Sequence, residues 1–164
     1  MPKRVFAFWR WIIASLLVIV LDQVSKHVIE ALFVYGEQHA VIPGFFNLTL
    51  AYNPGAAFSF LADAGGWQRH FFTALALAVS AWIVYMLKKH HMETRLSLAL
   101  SLIMGGAIGN VIDRLLFGHV IDFIQVYYRD WYYPAFNLAD SAICIGAALM
   151  VWDSFKSGKQ AAKQ

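Results

Sequence analysis

Long apolar stretches separated by short polar ones set the pattern of this chain. Crossing a bilayer core of about 30 Å takes roughly 20 helical residues. Four stretches answer to that length: about Phe8 to Val28, Phe71 to Leu87, Leu96 to Leu116 and Ala135 to Trp152. Lys3 and Arg4 resemble the basic start of a secretory signal, but the first stretch leads into Asp22-Gln23-Val24-Ser25-Lys26 and not into a small-residue cleavage site. It reads as a retained span.

The connections carry patterns of their own. Val41 to Phe60 is rich in β-branched and aromatic residues and is broken by Pro43-Gly44 and Asn53-Pro54-Gly55. That predicts short strands and tight turns, forming a small sheet on the membrane surface. The connection 117–134 carries Val126-Tyr127-Tyr128 and Trp131-Tyr132-Tyr133. These aromatics read as anchors at the lipid–water interface or as a flap over a site. The tail after Phe155 reads as solvated, with disorder an open option.

Basic residues give the orientation, because they gather on the cytoplasmic side of spans. Lys3, Arg4 and Arg10 precede the first span, Lys88, Lys89 and Arg95 lie between the second and third, and Lys156, Lys159 and Lys163 follow the fourth. Both termini are therefore expected in the cytoplasm. Connections 31–70 and 117–134 are expected outside.

Composition sharpens this picture. Apolar residues make up 60% of the chain and charged residues 14%, against roughly 45–50% and 25% in soluble domains. With 164 residues the chain is read as one integral-membrane domain, 1–164. The net charge of +3 forms no basic stripe with interleaved aromatics, so nucleic acid is not an expected partner. The single cysteine, Cys144, has no metal-binding spacing and reads as a small buried apolar residue.

Ionisable groups inside spans are costly and are functional candidates for that reason. Asp22 and Lys26 lie one helical turn apart, and Asn110, Asp113 and Arg114 share a face near the end of the third span. Asp122 follows Gly118, and Asn137 and Asp140 share a face at the start of the fourth span. By the orientation above, all lie towards the outer leaflet as one polar cluster. Asp22 with Lys26 reads as a structural ion pair or a substrate contact, Asp113, beside Arg114, as helping to position helices, and Asn110 and Asn137 as interhelical hydrogen-bond glue. Gly105 with Gly109, and Ala142 with Gly146, read as helix-packing faces.

Asp122 and Asp140 have no basic residue adjacent in sequence. Two acids in such a setting can share a proton, one activating water while the other protonates a leaving group. A proton or ion relay, or plain structure, remain alternative readings of the same two residues. Other chemistries find little support. The chain has no His-Glu-x-x-His, no Gly-x-Ser-x-Gly and no phosphate-cradling glycine loop. Asp140-Ser141-Ala142 breaks the Asp-Thr/Ser-Gly pattern of soluble aspartic proteases.

With these residues in view, the chain resembles bacterial lipoprotein signal peptidase (signal peptidase II) over nearly its whole length. Five blocks carry the likeness: Asp22-x-x-x-Lys26, Asn53-Pro54-Gly55-Ala56-Ala57-Phe58, Gly105 to Arg114, Gly118 to Ile124, and Phe136 to Asp140. The resemblance implies a mainly α membrane protein of four transmembrane helices with a small β-rich extracytoplasmic cradle and a short extracytoplasmic segment between spans three and four. It implies an aspartic endopeptidase of the bacterial inner membrane that cuts diacylglyceryl-modified prolipoproteins just before the lipidated cysteine. It assigns catalysis to Asp122 and Asp140, and substrate binding or site support to Asn53, Gly55, Asn110, Asp113, Arg114, Asn137, Asp22 and Lys26. Its partners would be the prolipoprotein and membrane lipid, with no metal, organic cofactor or obligate protein partner. Two readings from other classes stay beside it: a small proton-coupled carrier that uses the acids as a relay, and a non-catalytic lipoprotein assembly factor.

Overall fold

The computed structural model describes residues 2–55 and 65–161, with side chains over 7–55 and 65–155. The stretch Ala56 to Phe60 of the expected strand region lies outside the described residues, as do the side chains of Lys3, Arg4, Lys156, Lys159 and Lys163.

Four helices carry the apolar stretches: α1 (Pro2–Leu32), α2 (Trp67–His90), α3 (Thr94–Leu116) and α4 (Leu138–Ala161). Within them, Ala7–Leu32, Trp67–His90, Thr94–Leu116 and Leu138–Phe155 are long and apolar enough to cross a membrane. The helix α4 continues past Phe155 to Ala161, where the sequence pattern suggested only a solvated tail. It begins at Leu138 and not near Ala135, because Phe136 is held in a backbone bridge to Ile124.

The four helices are not equivalent. Two-thirds of the α3 span is buried, against about a fifth in each of the others, so α3 is the centre of the bundle. Outward faces stay apolar, with Leu17, Leu21, Trp82, Tyr85, Ile145 and Val151 all more than half exposed or close to it. A lipid solvent accepts such faces, whereas water would not. Small residues bring the neighbours close to α3. A Cβ added at Gly105 would meet Val18 Cβ at 2.7 Å, and one added at Gly146 would meet the Ala99 carbonyl at 2.6 Å. Helix association in lipid depends on such close packing and not on hydrophobic exclusion.

One end of the bundle is tied by Trp11, whose Nε1 donates to the His91 carbonyl in the α2–α3 turn at 2.9 Å. The opposite end carries an antiparallel four-stranded sheet in the order β1-β2-β3-β4. Its strands are β1 (Gln38–Ile42), β2 (Phe46–Asn53), β3 (Val120–Tyr128) and β4 (Trp131–Tyr132). The longest strand, β3, comes from the connection that the sequence reading treated as interfacial aromatics. Tyr127 stacks on Tyr132 across the β3–β4 pair with ring centroids 5.2 Å apart, while Tyr128 and Trp131 are exposed. Gly118, at φ 83, ends α3 in the left-handed conformation that favours glycine and lets the chain turn directly into β3.

Candidate active site

The polar residues that the sequence groups into one cluster, together with Asn53, lie at the sheet end of the bundle. Asp22 and Lys26 come from the second half of α1, and Asn110, Asp113 and Arg114 from the last two turns of α3. Asn53 ends β2, Asp122 is the third residue of β3, and Asn137 and Asp140 form the start of α4.

Lys26 is fully buried between two acids. Its Nζ lies 2.8 Å from Asp22 Oδ2 and 2.7 Å from Asp113 Oδ2, and it donates to Asn110 Oδ1 at 2.9 Å. Each acid also holds a backbone N–H. Asp22 Oδ1 accepts from Ala139 N at 2.9 Å, which satisfies a donor in the first turn of α4. Asp113 Oδ2 accepts from Ile121 N at 3.2 Å, which fixes β3 beside α3. The absence of a side chain at Gly109 makes room for this cluster, since a Cβ there would meet Asp22 Oδ2 at 2.6 Å.

Above the cluster stand two asparagines and two aspartates. Asn137 caps α4: its Oδ1 accepts from Asp140 N at 2.9 Å. Its Nδ2 donates to Asp122 Oδ1 at 2.7 Å and, more weakly, to Asn110 Oδ1 at 3.3 Å. Asn110 Nδ2 donates to Asp140 Oδ1 at 2.8 Å, and Asn53 Nδ2 donates to Asp122 Oδ2 at 3.2 Å. Thus both carboxyls are held by neutral amides, without an arginine or lysine in direct contact in the geometry described. Asn53 Oδ1 also accepts from Gly55 N at 3.0 Å, shaping the turn after β2.

Asp113 and Arg114, adjacent in sequence, serve different regions. Asp113 faces Lys26, whereas Arg114 Nη2 donates to the Gly55 carbonyl at 2.9 Å and Nη1 to the Asn110 carbonyl at 3.2 Å. Gln23, which sequence reasoning passed over, donates to Asp113 Oδ1 at 2.7 Å. Its position one residue after Asp22 and three before Lys26 was the available signal.

Asp140 and Asn53 open onto a cleft of about 570 Å³ whose other walls include Phe136, Ile143, Cys144 and Ile145. Cys144 is exposed at this cleft; the expectation of a buried apolar cysteine is corrected, because that face of α4 has no helix packed over it. Among the described residues, no group of three or more His, Cys, Asp or Glu side chains is arranged to hold a metal ion.

Burial raises the Asp122 carboxyl from its ordinary 3.8 to about 7, and the negative charge of Asp140 adds to the shift. Between about pH 4 and pH 7 the folded protein therefore holds a proton that the unfolded chain releases, so stability falls as pH rises through this window. Melting of purified protein in detergent should show a transition temperature that declines by several degrees from pH 4.5 to pH 7.5. Asp122→Asn should flatten that decline; an equal slope in the variant would mean that Asp122 does not titrate there.

The comparisons with known proteins bear on the family and the fold. The family model described as Signal peptidase (SPase) II matches residues 14–156. The lipoprotein signal peptidase of Chromobacterium violaceum is 62% identical over 148 residues, covering 90% of this chain and 91% of that protein. That of Neisseria meningitidis serogroup C is 54% identical over 163 residues, covering 98% and 99%. A solved bacterial membrane enzyme, determined by the in meso method at 2.3 Å resolution, superposes with a TM-score of 0.83 at 33% identity, covering 92% of this chain and 90% of the other. A second, at 1.9 Å, gives 0.77 at 34% identity over 90% and 93%. A match of this length, at these identities and over the same four-helix and sheet architecture, means that the chain belongs to the signal peptidase II family.

Proposed function

We propose that this single-domain protein is an aspartic endopeptidase of the bacterial inner membrane. It removes the signal peptide from diacylglyceryl-modified prolipoproteins by cutting just before the lipidated cysteine. Membership of the signal peptidase II family supports cleavage of prolipoprotein signal peptides. The observation that carries the aspartic mechanism is the pair of carboxyls, Asp122 and Asp140, joined through side-chain amides, with Asp140 and Asn53 lining an apolar cleft.

In this reading one carboxyl draws a proton from water as the oxygen adds to the scissile carbonyl, while the other passes the shared proton to the carbonyl oxygen and recovers it when the intermediate collapses. A tetrahedral gem-diol forms, and the protonated carboxyl then supplies the proton for the departing amine. The hydroxyl and hydrogen of water end on the two products, and the pair returns to its starting state. No metal, organic cofactor or covalent acyl-enzyme takes part.

The substrate enters as a membrane helix, whose carbonyls are already hydrogen-bonded. It must unwind to be cut, and the edge of β2 around Asn53 offers replacement backbone partners. The cleft beside Asp140 accepts apolar chain from the lipid side through the exposed face bearing Cys144 and Ile145. The basic residues flanking the other end favour cytoplasmic termini, with the site near the outer leaflet.

The test is hydrolysis of a purified diacylglyceryl prolipoprotein by the detergent-solubilised protein with a chelator present. Mass spectrometry should find a new N-terminus at the lipidated cysteine. Cleavage that stops on chelation would refute the metal-free mechanism, and no cleavage by folded protein would refute the peptidase assignment.

A further inference from the structure

The buried lysine lies beneath the carboxyl pair and is joined to it by a directed chain of side-chain amides. Its ammonium has three hydrogens and meets three acceptors: Asp22 Oδ2 at 2.8 Å, Asp113 Oδ2 at 2.7 Å and Asn110 Oδ1 at 2.9 Å. The third contact is not needed to neutralise the acids. It has a different consequence. An ammonium cannot accept a hydrogen bond, so Asn110 must turn its oxygen towards Lys26 and its NH2 group away. That NH2 group is what reaches Asp140 Oδ1, at 2.8 Å. The reversed amide would set NH2 against the ammonium and a carbonyl oxygen against a carboxyl, losing both hydrogen bonds.

Asn137 is polarised in the same sense. Its oxygen is occupied by Asp140 N at 2.9 Å, so its NH2 group faces Asp122 Oδ1 at 2.7 Å and Asn110 Oδ1 at 3.3 Å. The two carboxyls are therefore not equivalent. Asp140 is one amide from the cation and lies in the first turn of α4, where the helix dipole favours a negative charge. Asp122 is on a strand and receives only neutral donors from Asn137 and Asn53. Among the described residues, the charged groups around the pair are Asp22 and Lys26 of α1, Asp113 and Arg114 of α3, and the pair itself on β3 and α4.

We propose that Lys26 is a positioning residue that fixes the direction of the Asn110 amide, and through it holds Asp140 as the ionised partner and leaves the shared proton on Asp122. This rests on the peptidase reading above only for its kinetic readout; the asymmetry of the pair is a property of the resting protein. Lys26 makes no contact with the cleft lining or the carboxyl pair: its charge reaches both carboxyls through space, and its hydrogen-bonded route to Asp140 runs through Asn110.

Removing Lys26 alone would strand two buried acids, so the test uses a charge-conserving pair of changes, Lys26→Met with Asp113→Asn. Asp22 then keeps Ala139 N and Gln23 as partners. A second variant, Asn110→Ala, leaves the ion cluster whole and cuts the chain at its middle. In each, kcat for the prolipoprotein should fall about tenfold or more with KM little changed. The acidic limb of the pH–rate profile should move up by about one unit, a shift that belongs to the pair as a whole. Combining all three changes should add little further, because the same chain is already broken.

A wild-type pH profile in the folded Lys26→Met/Asp113→Asn protein would overturn the proposal, as would effects that multiply in the combined protein. If that double variant does not fold, Asn110→Ala decides alone, and an unshifted acidic limb there overturns it. Infrared titration of the protonated carboxyl band, lost in Asp122→Asn, reads the same coupling without any substrate. Its midpoint should shift as the acidic limb does. A shift in this band from a protein that cleaves nothing would reject the peptidase reading and keep the coupling, while an unshifted band beside normal cleavage would do the reverse.

Discussion

Asp122→Asn and Asp140→Asn are each expected to lower the rate of prolipoprotein cleavage by about 10⁴-fold while leaving a folded protein. The argument is one of proton accounting. An asparagine can neither take a proton from water nor return one to the amine, and the remaining carboxyl cannot be both acid and base in one step. Asn is nearly isosteric with Asp, and its own amide oxygen can still accept from Asn110 at position 140, or from Asn137 or Asn53 at position 122, without those amides turning. Loss of activity should therefore come without loss of fold. Cleavage is measured on purified substrate, and folding by melting of the same samples. Residual cleavage within about tenfold of wild type by either variant would remove that residue from the chemistry and favour a relay or structural role.

The largest effect on stability is expected from Lys26→Ala. It leaves Asp22 and Asp113 buried without their cation, at 0% exposure each. Breaking a buried ion pair by removing one partner costs about 3–5 kcal/mol, far more than the pair itself contributes relative to an apolar replacement. For this chain the loss spreads, because the same acids hold Ala139 N at the start of α4 and Ile121 N in β3. The transition temperature in detergent should drop by about 10 °C, and Lys26→Met with Asp113→Asn should recover most of it. A Lys26→Ala protein that melts like wild type would mean that the two acids are already neutral or wet in the folded state.

These two effects separate cleanly because the polar end of the bundle has two tiers. The lower tier, Asp22, Lys26 and Asp113, is closed to solvent and joins α1, α3, α4 and β3. The upper tier, Asp122 and Asp140, borders the cleft through Asp140 and Asn53. The asparagines lie between the tiers, and their amides transmit orientation upward from the cation. A change in the lower tier should first be felt as stability, and a change in the upper tier as rate.

The sequence by itself determined the four spans, because crossing a bilayer imposes a length and a polarity that each segment must meet alone. It also determined that Asp22, Lys26, Asn110, Asp113, Asn137 and Asp140 gather at one end, since alternating spans bring the end of one beside the start of the next. The resemblance to a known family named Asp122 and Asp140 together, which residue types alone left open.

Tertiary structure decided what those residues touch. Asp113 and Arg114 are neighbours in the chain, but α3 is enclosed on several sides, so a step of one residue turns the side chain from Lys26 to Gly55. The strand β3 escaped the sequence reading because its aromatics suit an interface equally well. Only pairing with β2, through partners such as Ala51 opposite Asp122, makes it a strand, and that partner lies about seventy residues away. Cys144 looked like core because its surroundings in sequence are apolar, yet in a membrane protein an apolar residue can face lipid, and only the packing of α4 against α3 selects the outward side. Local pattern fixes which segments enter the membrane; which faces meet, and hence which carboxyls come together, depends on contacts between segments far apart in the chain.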